Sequence, residues 1–190
     1  MSFVKMKSPV GELTLVASDK GLVAILWEND DPKRVRLGAL KEDKQHPVLV
    51  EVVKQLREYF AGERKKFSVK LDSRGTEFQR KVWAALVTIP FGETRSYAQI
   101  AEQVGSPKAV RAVGAANGRN PISIIAPCHR VIGSNGKLTG FAGGLEAKAF
   151  LLGLEGRQPH EDAVIEAMKE TPTPLMESDL LGVRDLIKNR

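Results

Sequence analysis

The chain is poor in the residues that build metal centres and disulfide bonds. Its 190 residues include one cysteine, Cys128, and three histidines that lie far apart in the sequence. A single cysteine excludes an intramolecular disulfide and a cysteine-rich zinc site, and separated histidines do not favour a histidine-based metal site, so we expect no metal. A lone thiol is typical of proteins from reducing compartments, which predicts a cytoplasmic, nucleoid-associated or nuclear protein.

The chain also lacks long apolar runs. Residues 1–7 have no apolar centre of the kind found in signal peptides, and no stretch approaches the length of a transmembrane helix. We therefore expect a protein without membrane contacts. Hydrophobic residues make up 42% of the composition and charged residues 27%, which is typical of a folded globular chain rather than a disordered one.

Neither sign of charge is scarce, but the balance is basic. The formal net charge is +6 at pH 7, and the excess belongs to residues 1–156, because residues 157–190 are slightly acidic. A basic excess is compatible with a nucleic-acid partner. The run Arg64-Lys65-Lys66 could touch phosphate, although a solvated charge run is the more common explanation of such a cluster.

The order of turns and apolar residues predicts two domains and a tail. Residues 1–72 are predicted to form an α+β domain, with a small antiparallel sheet and a helix that Pro47 opens. Residues 73–156 are predicted to form a mainly α domain, and residues 157–190 an extension of unknown role with a linker and a short helix. The strands are predicted near residues 2–7, 12–18, 22–27 and 67–71, with a loop over 29–46.

A helix-turn-helix is predicted inside the second domain. Thr76 and Gln79 have the spacing of a capping box, which begins a first helix. Two further helical patterns follow over residues 97–104 and 107–117, joined at Gly105. Paired helices with a short glycine-bearing turn are the arrangement found in many DNA-binding domains.

The second helix of this pair carries a run of small residues. Gly114 lies within it, and a glycine inside a helix costs about 1 kcal/mol relative to alanine. Tight packing on a neighbouring helix or close approach to DNA would each explain that choice. Arg111 and Arg119, together with Lys108, favour DNA.

The motif Pro127-Cys128-His129-Arg130 is the main chemical signal. An imidazole and a guanidinium beside a thiol are neighbours that lower a cysteine pKa and expose a thiolate. A buried, inert cysteine is the more common alternative. The run is too polar, however, for a segment that is core on every side, so we interpret the site as chemical.

His129 follows Cys128 directly, and successive residues of an extended segment point to opposite sides. A contact between the thiol and the imidazole would therefore need a bend or a bridging water. A histidine that acts as a base normally has a third group that fixes its tautomer. Glu155, near the end of a helix predicted over about residues 145–156, is the candidate for that group.

Taken in order, these motifs resemble those of the O6-alkylguanine-DNA alkyltransferases. The resemblance covers about residues 76–156 and implies a single-turnover DNA repair methyltransferase. The alkyl group of O6-alkylguanine in double-stranded DNA, with O4-alkylthymine as a second candidate substrate, would pass irreversibly to Cys128 after base flipping. A monomer without a cofactor is also implied. The motifs are residues 78–83, 90–97, 111–114, 120–131 and 143–155.

The resemblance implies a role for each catalytic residue. Cys128 would be the acceptor nucleophile, His129 would take up the thiol proton through a water, and Glu155 would polarise the imidazole. Tyr97 would donate a hydrogen bond or a proton to a ring nitrogen of guanine. Asn120 would hold the turn before the reactive loop.

The resemblance also implies two sets of binding residues. In one set Arg111 would enter the base stack in place of the flipped nucleotide. The residues implied to contact DNA are Lys108, Arg111, Ala112, Gly114, Ala115 and Arg119. Those implied to line the base pocket are Asn117, Arg130, Val131, Phe141, Ala142 and Gly143.

Two other classes of function stay open at this point. A helix-turn-helix regulator with a structural or redox-sensing cysteine would bind a specific DNA sequence and transfer nothing. A thiol hydrolase would turn over a small ester or peptide without DNA, although the chain has no signature of such an enzyme.

Overall fold

The computed structural model describes residues 1–156, so the predicted linker and helix of the extension lie outside the described residues. The chain opens with a four-stranded sheet. Its strands are β1 (Ser2–Ser8), β2 (Gly11–Ser18), β3 (Gly21–Leu26) and β4 (Lys41–Glu42), in the order β3-β2-β1-β4.

The sheet is mixed. β1, β2 and β3 are antiparallel neighbours, whereas β4 pairs with β1 in parallel. The prediction of an antiparallel sheet therefore holds for three strands and is wrong for the fourth, which lies in the segment predicted as a loop. This strand consists of two charged residues, Lys41 and Glu42, so no apolar pattern marks it in the sequence.

Helix α1 (Pro47–Phe60) covers one face of the sheet. Pro47 occupies its first turn, where a missing amide hydrogen costs nothing. Leu49, Val52 and Leu56 recur at helical spacing and are fully buried against the strands. Tyr59 ends the same stripe, and its ring is also fully buried.

The strand predicted over residues 67–71 does not form. Of these five residues, only Leu71 bridges to β3, through a parallel contact with Leu22. The backbone amide of Ser68 instead donates to the side-chain carbonyl of Gln55 on α1 at 2.9 Å. Because this amide is bound by a helix side chain, the segment follows α1 rather than pairing along the sheet.

The second half of the described chain is mainly helical. Its helices are α2 (Glu77–Val87), α3 (Tyr97–Gln103), α4 (Val110–Gly118) and α5 (Leu145–Leu154). Thr76 with Gln79 and Ser96 with Gln99 form complete capping boxes that begin α2 and α3. α3 and α4 form the predicted helix-turn-helix, although α4 begins at Val110 rather than at residue 107.

The loop that carries the cysteine contacts both halves of the described chain. Residues 120–131 are buried throughout. The amide of Ile25 on β3 donates to the carbonyl of Pro121 at 2.8 Å, so the loop begins on the edge of the sheet. It ends in β6 (Val131–Ile132), which pairs in parallel with β5 (Arg95–Ser96). Cys128 is therefore fixed from both halves of the fold.

None of the helices within residues 1–156 has the length and apolar character needed to cross a membrane.

The contact between β3 and residue 70 predicts a steric effect at Gly21. A Cβ at this position would lie 2.6 Å from the carbonyl oxygen of Lys70, which is backbone and cannot swing away. We expect Gly21→Ala to lower the free energy of unfolding by about 2 kcal/mol. Gly38→Ala, where a Cβ meets nothing within 4 Å, is the control and should change it by less than about 0.5 kcal/mol. Urea unfolding of the two variants checks this, and equal midpoints would contradict it.

Candidate active site

Cys128 begins a single 3-10 turn, Cys128–Arg130, and only 2% of its surface is exposed. Its amide donates to the carbonyl of Ala126 at 2.8 Å, and the side-chain amide of Asn117 lies 3.5 Å from its carbonyl oxygen. Burial raises the pKa of the thiol, and Asn120 and Lys148 oppose this only in part. The thiol is therefore held neutral, and the expectation that its neighbours lower its pKa is wrong for this structure.

The reason lies in where the neighbouring side chains point. His129 and Arg130 both bind the carboxylate of Glu155. His129 Nε2 lies 2.8 Å from Glu155 Oε1, while Arg130 donates through Nε to Oε2 and through Nη2 to Oε1, each at 2.9 Å. The hydroxyl of Tyr59 donates to Oε1 at 2.7 Å. We call these four residues the Glu155 network.

The carboxylate of Glu155 determines which members of the Glu155 network are charged. Burial alone would raise the pKa of Glu155, but the hydrogen bonds and charges of His129 and Arg130 outweigh it and lower the pKa to about 2. Burial has the opposite effect on His129 and lowers its pKa, although the hydrogen bond and the charge of Glu155 act to raise it. At neutral pH the network therefore pairs an ionised carboxylate with the guanidinium and leaves the imidazole neutral.

The ionised carboxylate also fixes the tautomer of His129. Because Glu155 can only accept, Nε2 carries the hydrogen and Nδ1 carries the lone pair. Nδ1 is buried and has no hydrogen-bond partner among residues 1–156. The imidazole is thus oriented as a base, which agrees with the prediction of a histidine backed by Glu155.

Asn120 closes the turn between α4 and the reactive loop. Its side-chain amide donates to the carbonyl of Ala126 at 2.6 Å, and its side-chain carbonyl accepts from the amide of Ile122 at 3.0 Å. The guanidinium of Arg34 donates to the backbone carbonyl of Asn120 and forms an ion pair with Asp30. Sequence reasoning missed Arg34, since it lies in a polar loop far from the motif and no pattern marks it.

Tyr97 opens α3 beside the thiol. Its hydroxyl lies 2.9 Å from Thr139 Oγ1, and burial raises its pKa, so the phenol keeps its proton as a donor. Its ring packs with Cys128 and Val131 in one apolar cluster. A Cβ at Gly114 would lie 3.9 Å from this ring, which is ordinary contact, so packing on Tyr97 does not require the glycine.

Lys148 is another site residue that sequence reasoning missed. It is fully buried on α5 and donates to the carbonyls of Val131 at 2.6 Å and Thr139 at 2.9 Å. Burial lowers its pKa to about 8. A lysine flanked by two alanines on a buried helix face was the available signal.

The residues expected to line a base pocket divide into two groups. Asn117, Val131 and Phe141 lie around the thiol, with Asn117 and Val131 buried. Phe141 and Gly143 also contact Trp27, whose ring lies 5.3 Å from that of Phe141 between centroids and only 2.6 Å from a Cβ built on Gly143. Ala142 lies between them and is half-buried.

Arg130 does not belong to this pocket. Its guanidinium is committed to Glu155 and to the carbonyl of Ile89. The structure therefore moves it from the expected base pocket to the Glu155 network.

The outer face of α4 carries the residues expected to contact DNA. Arg111, Ala112, Ala115 and Arg119 are exposed along it, and Gly114 is half-buried. The opposite face packs inward through Val113 and Ala116 in the cluster that also contains Cys128. Lys108 is exposed just before the helix. The exposed face of α4 therefore carries arginines and small residues, and its buried face packs in the cluster that contains Cys128.

No group of three or more His, Cys, Asp or Glu side chains that could ligate a metal occurs within the described part of the chain.

The structure thus packs a helix-turn-helix against a buried cysteine, next in sequence to a histidine that a carboxylate orients. Two family models cover almost all of the described chain. Residues 1–73 match the 6-O-methylguanine DNA methyltransferase, ribonuclease-like domain, and residues 77–157 match the DNA binding domain of the same name. The chain belongs to the 6-O-methylguanine DNA methyltransferase family.

Known relatives of the chain carry names of the same family. The chain is 53% identical over 150 residues to the methylated-DNA–protein-cysteine methyltransferase of Mycolicibacterium paratuberculosis, covering 79% of this chain and 89% of that protein. It is 51% identical to the protein of that name from Methanosarcina acetivorans, covering 82% and 99%. Mycobacterium tuberculosis OGT, solved in complex with DNA, superposes with a TM-score of 0.76 at 46% identity, covering 87% of this chain and 99% of that one.

The depressed pKa of Glu155 predicts an acid-dependent loss of stability. An ordinary glutamate titrates near 4.5 when unfolded and this one near 2 when folded, so the unfolded chain binds more protons in between. We expect the free energy of unfolding to fall as the pH is lowered from 4.5 to 2, and Glu155→Gln to lose this part of the pH dependence. Urea unfolding at several pH values measures this pH dependence.

Glu77→Gln, at an exposed site, is the control for the loss of a carboxylate. The same acid slope in Glu155→Gln and in the wild-type protein would contradict the lowered pKa of Glu155.

Proposed function

We propose that this protein repairs alkylated double-stranded DNA by accepting the alkyl group of O6-alkylguanine on the sulfur of Cys128. The observation that carries the proposal is the buried thiol of Cys128, set beside a neutral, Glu155-oriented His129 at the back of a helix-turn-helix. Membership in the methyltransferase family supports the same activity. The protein acts as a monomer in the compartment that holds the DNA.

The reaction is an in-line displacement. The sulfur of Cys128 forms a bond to the alkyl carbon as the bond from that carbon to guanine O6 breaks, and the electron pair leaves with the guanine. The thiol proton passes through a water to His129 Nδ1, whose lone pair is free of other partners among residues 1–156. Tyr97 donates a hydrogen bond or proton to a guanine ring nitrogen, so that the base leaves neutral.

Access to the thiol requires base flipping. A base stacked in a duplex cannot reach a buried sulfur, and extrusion costs a few kcal/mol, least for a badly paired lesion. Arg111, exposed at the start of α4, takes the place of the extruded base. The pocket of Asn117, Val131 and Phe141 receives it, and O4-alkylthymine is a second candidate for the same pocket.

The product limits each molecule to one event. A thioether is a poor leaving group, so Cys128 is not regenerated, and the protein is consumed as it repairs. No observation within residues 1–156 favours a regulator or a hydrolase over this activity.

Stoichiometric transfer tests the proposal. Incubation with a duplex that contains O6-methylguanine should add about 14 Da to Cys128, the mass of a methyl group that replaces hydrogen, once per molecule. Intact-protein and peptide mass spectrometry measure it, with an unmethylated duplex as the control. No mass gain, or many lesions repaired per molecule, would overturn the proposal.

Removal of the thiol should separate binding from repair. Cys128→Ala deletes only the nucleophile from a small buried site, so it should bind the methylated duplex about as tightly as the wild-type protein and leave the lesion intact. Binding by fluorescence anisotropy and lesion content after incubation are the two measurements. Repair by this variant would remove Cys128 from its role.

The pH dependence of transfer tests His129 as the base. Because burial holds the pKa of His129 below its usual 6.5, the single-turnover rate at saturating DNA should stay level from about pH 6.5 to about pH 7.5, where Lys148 still keeps its charge. In His129→Gln the thiol must ionise unaided, so the rate should be lower and rise about tenfold per pH unit. Rapid-quench kinetics measure both. A level profile in the variant would contradict the role.

A further inference from the structure

A basic groove lies beside the helix-turn-helix, outside the site described above. It has a volume of about 440 Å³ and runs from the loop after β3, past the linker before α2, to the end of α4. No carboxylate from residues 1–156 lines it. The cationic side chains that line it are Lys33, Arg34, Arg36, Arg74 and Arg119.

Three of these cations are not neutralised by the described part of the protein. Arg34 is paired with Asp30 in the interior, and Arg74 with Asp72 at 2.6 Å. Lys33, Arg36 and Arg119 make no ion pair within residues 1–156, and Lys33 and Arg119 are exposed. Like charges gathered in one concave surface repel one another and concentrate anions there. The groove is therefore fitted to an anion that spans several of them.

The groove continues the outer face of α4. Arg119 belongs to both surfaces, because it caps the C-terminal end of α4 and also lines the groove. α4 has nine residues and is about 14 Å long, whereas one turn of a DNA duplex spans about 34 Å. A duplex seated on α4 is therefore longer than the helix and extends beyond it, and Arg119 marks the point where the groove adjoins the helix.

We propose that the basic groove binds the sugar–phosphate backbone of the duplex beside the damaged base, so that the sheet-bearing half of the protein contributes to DNA binding. The inference rests on the function proposed above. Lys33 and Arg36 contact phosphates from the loop after β3, and Arg119 does so from α4. Ammonium and guanidinium groups on phosphates position a duplex without reading its sequence. The groove adds affinity, therefore, and no base preference.

The salt dependence of binding tests this groove. Removing one phosphate neutralisation should reduce the slope of log affinity against log salt by about 0.9, so Lys33→Gln/Arg36→Gln should reduce it by about 1.8. Between 50 and 200 mM salt the affinity of the wild-type protein should then fall about tenfold further than that of the variant. Lys7→Gln/Lys54→Gln removes the same charge from two exposed lysines outside the groove and should leave the slope nearly unchanged.

Shortened duplexes locate the contact. With the methylated guanine fixed, trimming base pairs from one side should abolish the difference between the variant and the wild-type protein, and trimming the other side should preserve it. A variant slope equal to that of the control, or a difference that survives trimming on both sides, would overturn the groove.

Methyl transfer keeps the two proposals apart. At saturating DNA and low salt the Lys33→Gln/Arg36→Gln variant should methylate Cys128 at the wild-type rate, because neither residue belongs to the site around the thiol. If the wild-type protein transfers the methyl group and the slopes are equal, the groove fails alone. If the wild-type protein transfers nothing, the proposed function fails whatever the slopes show.

Discussion

The buried carboxylate of Glu155 is the constraint on which the rest of the site depends. It accepts hydrogen bonds from His129 and Arg130 of the reactive turn and from Tyr59 of α1, so it joins both halves of the fold at the end of α5. A buried charge is tolerated only when it is paired and hydrogen-bonded. The pairing holds the loop in place, and it commits the guanidinium of Arg130 to the carboxylate rather than to Cys128.

The thiol of Cys128 is consequently protonated in the free protein. It is buried, its pKa is raised, and the cation of the reactive turn, Arg130, is engaged by Glu155 instead. His129, the proposed partner in proton transfer, has its tautomer fixed by Glu155, and its Nδ1 has no partner among the described residues. Under the function proposed above, such a site reacts when a flipped base brings an alkyl carbon to the sulfur. A protonated thiol at rest suits a protein that is consumed by each reaction.

Local patterns predicted most of the elements, and long-range contacts account for the failures. The capping box of Thr76 and Gln79, the apolar stripe of α1 and the helix-turn-helix follow from spacing along the sequence. The missing strand at residues 67–71 depends on Gln55, and the closure of the reactive loop depends on Arg34, which are contacts between segments that sequence spacing does not reveal. For the site, the motif marked Cys128 as the candidate nucleophile. Proximity in sequence misjudged the thiol pKa, because burial raises it and the charge of Arg130 is engaged by Glu155.

Titration of Cys128 in the free protein tests the control of the thiol by burial and Glu155 most directly. Because it is the single cysteine of the chain, the ultraviolet thiolate band reports on it alone, with Cys128→Ala as the blank. The Glu155 network and the burial of the thiol predict a midpoint above that of an ordinary cysteine. A midpoint below neutral pH would show a thiolate already formed at rest and would contradict this picture of the site.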